Sequence, residues 1–442
     1  MNTQVLSLQR QGASHIKKGL VCQDNAGSRR LDDGTILLAL SDGHGSRPHF
    51  RSDRGSHIAV ETALEVLEEF AGHFNVCMLP GVGCTALQQG TLTEFPNPRF
   101  PEADNIFRHM GAAILYRWER KVVKDWLENK LTEEERALLK PDELAELEKG
   151  VRHKILRTYG CTLQAAIRTD SYWLALQLGD GKIVAARKDG SIYEPVPWDK
   201  DCFQNITTSI CDISAAEFRY CYSVDSDEAS ALFLASDGMD DSFPTAQDLY
   251  SCYGINFLGR INYNGWDYFS QNVDKLLDRY SQYYSGDDMS LACWIDLDAI
   301  GGMMRRILND KRVLCLKKID SIENQLRKLS DQKTQLERQK CEIERHKSVN
   351  ASVKSFFELI LGRLKNSPDD ITSEITNTLD GVKKDNARNE ENIRQRDTEL
   401  MRIGIEIKTR VEGIEKLQRS LDSLKRELAS VEDYISKLDD NT

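Results

Sequence analysis

Three apolar runs in this sequence end in the same dipeptide. ILLALSDG, LALQLGDG and LFLASDG each place an Asp-Gly where a buried strand would surface, at Asp42, Asp180 and Asp237. A further acidic pair, Asp287-Asp288, precedes the apolar run MSLACWI, and Asp24 sits in CQDN upstream of the first run. If these strands share a layer of sheets, the carboxylates converge at one rim. Carboxylates gathered in this way repel one another and resist joint ionisation without a cation. Hard divalent ions such as Mg²⁺ and Mn²⁺ take oxygen ligands of this kind. The other reading of Asp-Gly is a hairpin turn. Asp33-Gly34 and Asp189-Gly190, each between two strand-like runs, read that way. Spacing alone leaves both readings open for the other three.

The elements that must carry these residues are mixed. Strand-like runs cover residues 35–41, 172–178, 182–187, 231–236 and 290–295, rich in β-branched, aromatic or leucyl residues and bounded by Gly and Asp. Helical patterns cover 54–70, 103–129 and 133–158, the last opened by a capping box of Thr132 with Glu135. Helices grouped between strands suggest an α+β fold with largely antiparallel sheets. Near residue 300 the composition changes. All six Trp and nine of the ten Pro lie before it, and Gly301-Gly302 reads as a hinge. Beyond it, Leu308, Cys315, Ile322, Leu329, Leu336 and Ile343 recur every seven residues, as do Ile393, Leu400, Ile407, Ile414, Leu421, Leu428 and Ile435. Heptads of this length predict a coiled coil. Two series of similar length, separated by the breaker Ser367-Pro368, predict an antiparallel hairpin; a parallel coil between two chains is the alternative. The expected domains are therefore 1–299 and 303–442, with residues 1–300 able to fold alone.

Charge follows the same division. The first 300 residues carry 44 Asp+Glu against 30 Lys+Arg, and the rest 26 against 29. The acidic part is not expected to grip nucleic acid or an anionic membrane. No run of about 18 apolar residues predicts a transmembrane helix. The start, MNTQVLSLQRQGASH, has neither the basic flank nor the apolar core of a secretory signal. Eleven cysteines without a CxxC pair read as reduced thiols in a cytoplasmic protein.

CQDN, SDGHGS, GCTL, LGDG, LASDGMDDSF and GDDMSLACW, in this order, resemble the PPM/PP2C family of metal-dependent protein Ser/Thr phosphatases in its bacterial form. The resemblance spans roughly residues 8–297 and excludes the tail. It implies a β-sandwich of two antiparallel sheets flanked by helices, with metals at one end. It implies hydrolysis of phosphoserine and phosphothreonine by water activated between two Mn²⁺ or Mg²⁺ ions, with a third ion in some members. Position by position, Asp42 matches the aspartate bridging two metals and Gly43 a carbonyl ligand. Asp237 and Asp287 match further ligands of the first metal, and Asp24 the residue acting through water. Asp180 and Asp241 match a third, weaker site. His44 matches the proposed general acid, and Gly160-Cys161-Thr162 a structural box. Two departures stand out. Gln23 replaces a common Glu, and Gly19 stands where many members carry a phosphate-gripping Arg. Lys18 and Arg47 are the expected substitutes, with Lys17 and Arg51 as further choices. The resemblance implies a phosphoprotein substrate and a cognate Ser/Thr kinase; the coil implies a protein partner or self-association. The alternative is a catalytically weak member that binds or scaffolds phosphoprotein.

Overall fold

Ten strands form two five-stranded antiparallel sheets in the computed structural model, which describes residues 2–73, 101–202, 207–213, 216–223, 225–365 and 373–440. The strands are β1 (Thr3–Arg10), β2 (Asn25–Arg30), β3 (Ile36–Ser41), β4 (Leu163–Arg168), β5 (Trp173–Leu178), β6 (Lys182–Ala186), β7 (Ile192–Tyr193), β8 (Arg219–Ser223), β9 (Ala231–Ala235) and β10 (Met289–Asp296). One sheet has the order β1-β10-β9-β6-β7 and the other β2-β3-β4-β5-β8. The helices of the first unit are α1 (Ala13–Lys18), α2 (Ser52–His73), α3 (Pro101–Glu128), α4 (Glu133–Ala137), α5 (Pro141–Glu148), α6 (Arg152–Thr158) and α7 (Asp237–Asp240). They continue with α8 (Ala246–Ser251), α9 (Arg260–Asn264), α10 (Trp266–Ser270) and α11 (Val273–Tyr280).

The central strands read as unbroken apolar runs because both of their faces are covered. In β3, Ile36, Leu38 and Leu40 enter the layer between the sheets, where they meet Leu232, Leu234 and Trp294. Leu37 and Ala39 face the other way, into a cluster with Ala63 and Leu67 of α2 and Trp118 of α3. Trp294 and Trp173 satisfy their indole N–H groups on the carbonyls of Ala229 and Asp225, at 3.0 and 3.3 Å. Five strands gave no clear signal in the sequence. β2, NAGSRR, is a polar edge strand, and β4, LQAAIR, has only small residues at its centre, so pairing alone makes them strands.

The pattern over 133–158 forms three helices rather than one. Pro141 takes the first turn of α5, where its missing N–H costs nothing, and Gly150 adopts φ +74°, closed to most other residues. The capping box is present: Thr132 and Glu135 each accept the other's backbone N–H, at 3.2 and 2.8 Å. Asp33-Gly34 and Asp189-Gly190 are hairpin turns. Each Asp side chain accepts the N–H two residues on, at 2.9 and 2.8 Å, and each Gly has positive φ.

The expected hinge at Gly301-Gly302 is not a break. α12 (Leu297–Lys365) runs straight through it, and the chain divides into compact units at Met1–Asp310 and Lys311–Thr442. The first turns of α12 belong to the first unit's core. Met303, Met304 and Ile307 are buried; the Met304 methyl lies against Gly259, and a Cβ on Gly254 would come within 2.7 Å of Ile307 Cγ2. A chain ending at residue 300 therefore loses four buried side chains, Leu308 being the fourth. At about 2 kcal/mol or more each, that approaches the whole stability of a domain. A chain ending at residue 310 is expected to melt cooperatively by circular dichroism, and one ending at 300 to lack a cooperative transition. Equal melting of both would show that these turns contribute nothing to the unit.

In the second unit α12 and α13 (Ser373–Asp440) pack as an antiparallel hairpin. Lys311 pairs with Glu427, Lys425 with Glu323 and Lys354 with Glu390, one number rising as its partner falls. Leu421 and Ile343 of the heptad series are buried, as are Ile403 and Val431. Ser367-Pro368 lies outside the described residues, as do Cys77 and Cys84; the other nine cysteines are free thiols.

Candidate metal centre

Strand direction decides where the acidic residues meet. β3 ends where β2 begins, with Asn25 opposite Ser41, and β5 ends where β4 begins, with Leu163 opposite Leu178. In the other sheet β9 ends where β6 and β10 begin, Ala235 lying opposite both Lys182 and Leu291. The residues that follow or precede these ends, Asp24, Asp42, Asp180, Asp237 and Asp287, therefore share one rim of the sandwich. A cleft of about 810 Å³ opens over it. Asp42, Gly43, His44, Asp180, Asp237, Asp241, Asp287 and Lys18 line the cleft, with Asp24 buried beside it.

The segment bearing Asp42 is clamped by Gly160-Cys161-Thr162. Thr162 donates its N–H to the Asp42 carbonyl at 2.8 Å, and its hydroxyl accepts the Asp42 N–H at 3.1 Å. Gly43 and Cys161 form an isolated bridge. Gly43 admits no side chain, since a Cβ would lie 2.8 Å from the Gln23 carbonyl and 2.9 Å from that of Ser52. These contacts hold the Gly43 carbonyl and the Asp42 carboxylate in a fixed relation.

The carboxylates pay for their crowding in proton affinity. Burial pushes Asp24 up to about 8, with repulsion from Asp288 and Asp237 adding to it and hydrogen bonds from Ser236 and Ser290 opposing it. The Ser290 hydroxyl donates to Asp24 at 2.7 Å. Burial and repulsion by Asp24 and Asp237 hold Asp42 well above the usual carboxylate range. Asp237 rises to about 6, chiefly by burial, with repulsion from Asp180, Asp287 and Asp241 adding to it and its contact with Asp42 opposing it. Burial also raises Asp180 and Asp241. Among the described residues, no three His, Cys, Asp or Glu side chains are grouped closely enough to enclose a metal ion as they stand. The donor chemistry nonetheless fits a hard divalent cation: the ligands offered are oxygens throughout, and burial destabilises Asp24, Asp42, Asp180, Asp237 and Asp241 as anions, with neighbouring carboxylates adding to it at all of these but Asp180.

Asp288, beside Asp287, has a different task. Its buried carboxylate accepts the N–H groups of Gly12 and Gln23, both at 2.6 Å, and faces His15 Nδ1 at 2.9 Å. It ties down the loop that carries α1 and Asp24. Doubling of the acid in GDDMS was the only sequence signal for it. The Gln23 side chain reaches the cleft, where a Cβ on Gly45 would meet its Oε1 at 2.0 Å.

His44 Nε2 lies 2.7 Å from Ser209 Oγ, and that hydroxyl donates to the Cys161 carbonyl at 3.2 Å. With the Ser209 hydroxyl turned to Cys161, His44 Nε2 carries the proton and donates it to Ser209; with the hydroxyl turned to the ring, Nε2 accepts. Burial pushes the His44 pKa down to about 4. Ser209 was not legible in the sequence, because nothing in TTSIC marks a histidine partner.

Two expected phosphate-gripping residues are elsewhere. Arg47 does not line the cleft; its guanidinium bonds to the Leu138 carbonyl and to Glu143. Arg51 is 2% exposed, and forks onto Glu135 at 2.6 and 2.8 Å with Tyr159 and two backbone carbonyls as further partners. It anchors the 129–135 segment. Both arginines are claimed by residues of the 129–143 stretch, which the local sequence around them cannot reveal.

A family model described as protein phosphatase 2C matches residues 11–277. Among curated proteins, none matches the chain in sequence. Solved structures similar to it include the serine/threonine phosphatase Stp1 from Staphylococcus aureus, 13% identical, covering 67% of this chain and 94% of its own, with a TM-score of 0.39. The S. agalactiae serine/threonine phosphatase is 13% identical over 66% of this chain and 99% of its own, TM-score 0.39. The catalytic domain of the phosphatase PstP in complex with two manganese ions is 13% identical over 66% and 97%, TM-score 0.36.

Proposed function

This chain belongs to the protein phosphatase 2C family, and on that premise we propose that it removes phosphate from phosphoserine and phosphothreonine in proteins, using two Mn²⁺ or Mg²⁺ ions and possessing the residues for a third. The observation that carries the proposal is the gathering of five strand-end aspartates at one rim, under an open cleft that also holds His44. Asp42 would hold both ions and the Gly43 carbonyl one of them, Asp237 and Asp287 would complete the first site, and Asp24 would act through water. Asp180 and Asp241 would hold the third ion. Gln23 brings an oxygen to this group without a charge. When bound, the ions neutralise the phosphoryl oxygens and acidify the attacking water.

The rest falls to side chains. Lys18, the one Lys or Arg among the described cleft residues, meets the phosphate as a point charge, the role that Arg47 does not fill. His44 protonates the departing seryl or threonyl oxygen. Its depressed pKa leaves the ring neutral in the free protein at pH 7. An arriving phosphate dianion favours the imidazolium, and the ring must exchange Ser209 for the leaving group.

For the tail we propose docking of a protein partner or self-association; Val349, Val353 and Phe356, at i, i+4 and i+7 of α12, are exposed. A Ser/Thr kinase that makes the substrate is the corresponding second partner. Among the described residues no helix is long and apolar enough to cross a membrane. The free cysteines suit a reducing, cytoplasmic setting.

The test is phosphate release from a phosphothreonine peptide and from p-nitrophenyl phosphate. Release is expected with Mn²⁺ or Mg²⁺, to stop in EDTA, and to return when metal is restored. No release with either ion, while the peptide still binds, would make this a phosphoprotein-binding member instead.

A further inference from the structure

A second, smaller pocket of about 160 Å³ lies beside the cleft. The two share one wall, the three-residue turn Arg47–His49: His49 lines the cleft, whereas Arg47 and Pro48 line the pocket. The pocket's charged lining is Arg47, Lys154 and Arg157 against a single Glu143, over a floor that includes Leu147 and Thr158. A cationic pocket is unexpected in a unit with so large a surplus of acid.

Two of its three cations sit in exposed ion pairs, Arg47 donating also to the Leu138 carbonyl. Arg47 pairs with Glu143 at 3.3 Å and Lys154 with Glu146 at 2.9 Å, and all four side chains are 30% exposed or more. Exposed pairs of this kind contribute about 0–1 kcal/mol, so an incoming anion can replace them. Arg157 is exposed, and among the described residues its guanidinium makes no hydrogen bond or ion pair. It is close enough to His49 for its charge to act on that ring. The free guanidinium thus sits on the pocket's boundary with the cleft.

We propose that Arg157, Lys154 and Arg47 form a subsite for an anionic side chain of the phosphoprotein, either Asp/Glu or a second phosphorylated residue, a few positions from the one being hydrolysed. The inference rests on the phosphatase reading of the cleft. A single helical turn with its side chains is about 10 Å across, and an extended peptide advances about 3.3 Å per residue. The anionic side chain therefore belongs about three residues from the scissile phosphoserine or phosphothreonine. Arginine presents a planar fork to carboxylate or phosphate, which adds direction to the charge.

The experiment uses the full chain and three phosphothreonine peptides: neutral flanks, Glu three residues to either side, and a second phosphothreonine there. With Mn²⁺, KM for the two anionic peptides is expected about fivefold below that for the neutral one, and the gap to close at 0.5 M salt. Arg157→Ala and Lys154→Ala should each raise KM for the anionic peptides severalfold, leaving kcat, the neutral peptide and p-nitrophenyl phosphate unchanged. Arg157→Lys should keep part of the preference and Arg157→Glu should reverse it. A larger gap for the doubly phosphorylated peptide identifies phosphate as the natural occupant; equal gaps identify any acid. Peptide binding read by fluorescence anisotropy in EDTA separates the two readings. If no substrate is turned over but the anionic preference persists in binding, the hydrolase reading fails and the subsite stands. Equal affinity of the parent chain for neutral and anionic peptides, or a preference that survives the Arg157→Ala/Lys154→Ala double change, overturns the subsite.

Discussion

Asp42→Asn is expected to lower kcat/KM on every substrate by about 10³-fold or more, equivalent to about 4 kcal/mol of transition-state stabilisation. The asparagine fits the same space but removes the negative charge from the residue at the centre of the cluster. Asp237→Asn should behave alike, since it removes charge from a carboxylate close enough to Asp42 to repel it. The same substitution is expected to stabilise the metal-free protein. Asp42 is held near Asp24, Asp237 and Asp180, and each repels it. A carboxyl whose folded pKa lies above its unfolded value contributes stability at low pH and loses it as pH rises through the folded pKa. For Asp237 and Asp24 those values are about 6 and about 8. In EDTA the parent chain should therefore lose stability between about pH 4 and 8, and Asp42→Asn should lose less, ending a few degrees higher in Tm. Mn²⁺ should raise the Tm of the parent much more than that of the variant. Turnover by Asp42→Asn within threefold of the parent would remove Asp42 from the centre. An unchanged melting curve in EDTA would mean that the crowding seen here is relieved in solution.

His44→Ala is the second large effect, and its size should depend on the leaving group. A seryl or threonyl alkoxide needs a proton as it departs, and a positioned acid supplies about 10²–10⁴-fold. Nitrophenolate leaves without one. Peptide turnover is expected to fall within that range, while p-nitrophenyl phosphate loses less than about tenfold. Equal losses on both substrates would assign His44 a positioning role. The Ser209 contact makes such an outcome structurally intelligible, because a ring held by Ser209 can also brace the Gly43–Cys161 bridge beside it.

The acidic residues of the rim were legible in the sequence because each stands at a local discontinuity. A run such as ILLALS is buried on both faces, and the Asp that ends it marks the point where burial stops. The resemblance of the surrounding boxes then separated Asp42, Asp180 and Asp237 from the plain turns at Asp33 and Asp189. Heptads likewise announced the hairpin, since a seam of Leu and Ile every seven residues is a local property of the chain. Arg47 and Arg51 show the opposite case. Both lie next to the rim in sequence, yet Arg51 is drawn to Glu135 and Arg47 to Glu143, some 80 to 100 residues away. Gly301-Gly302 reads as a hinge by composition, but the helix continues because Met303, Met304 and Ile307 have a core to enter. Residue type and spacing thus determined which groups could do chemistry and which face of each element is buried. Only the tertiary structure decided which charges meet, because a long side chain's partner is set by the element packed against it, and that element can come from anywhere in the chain.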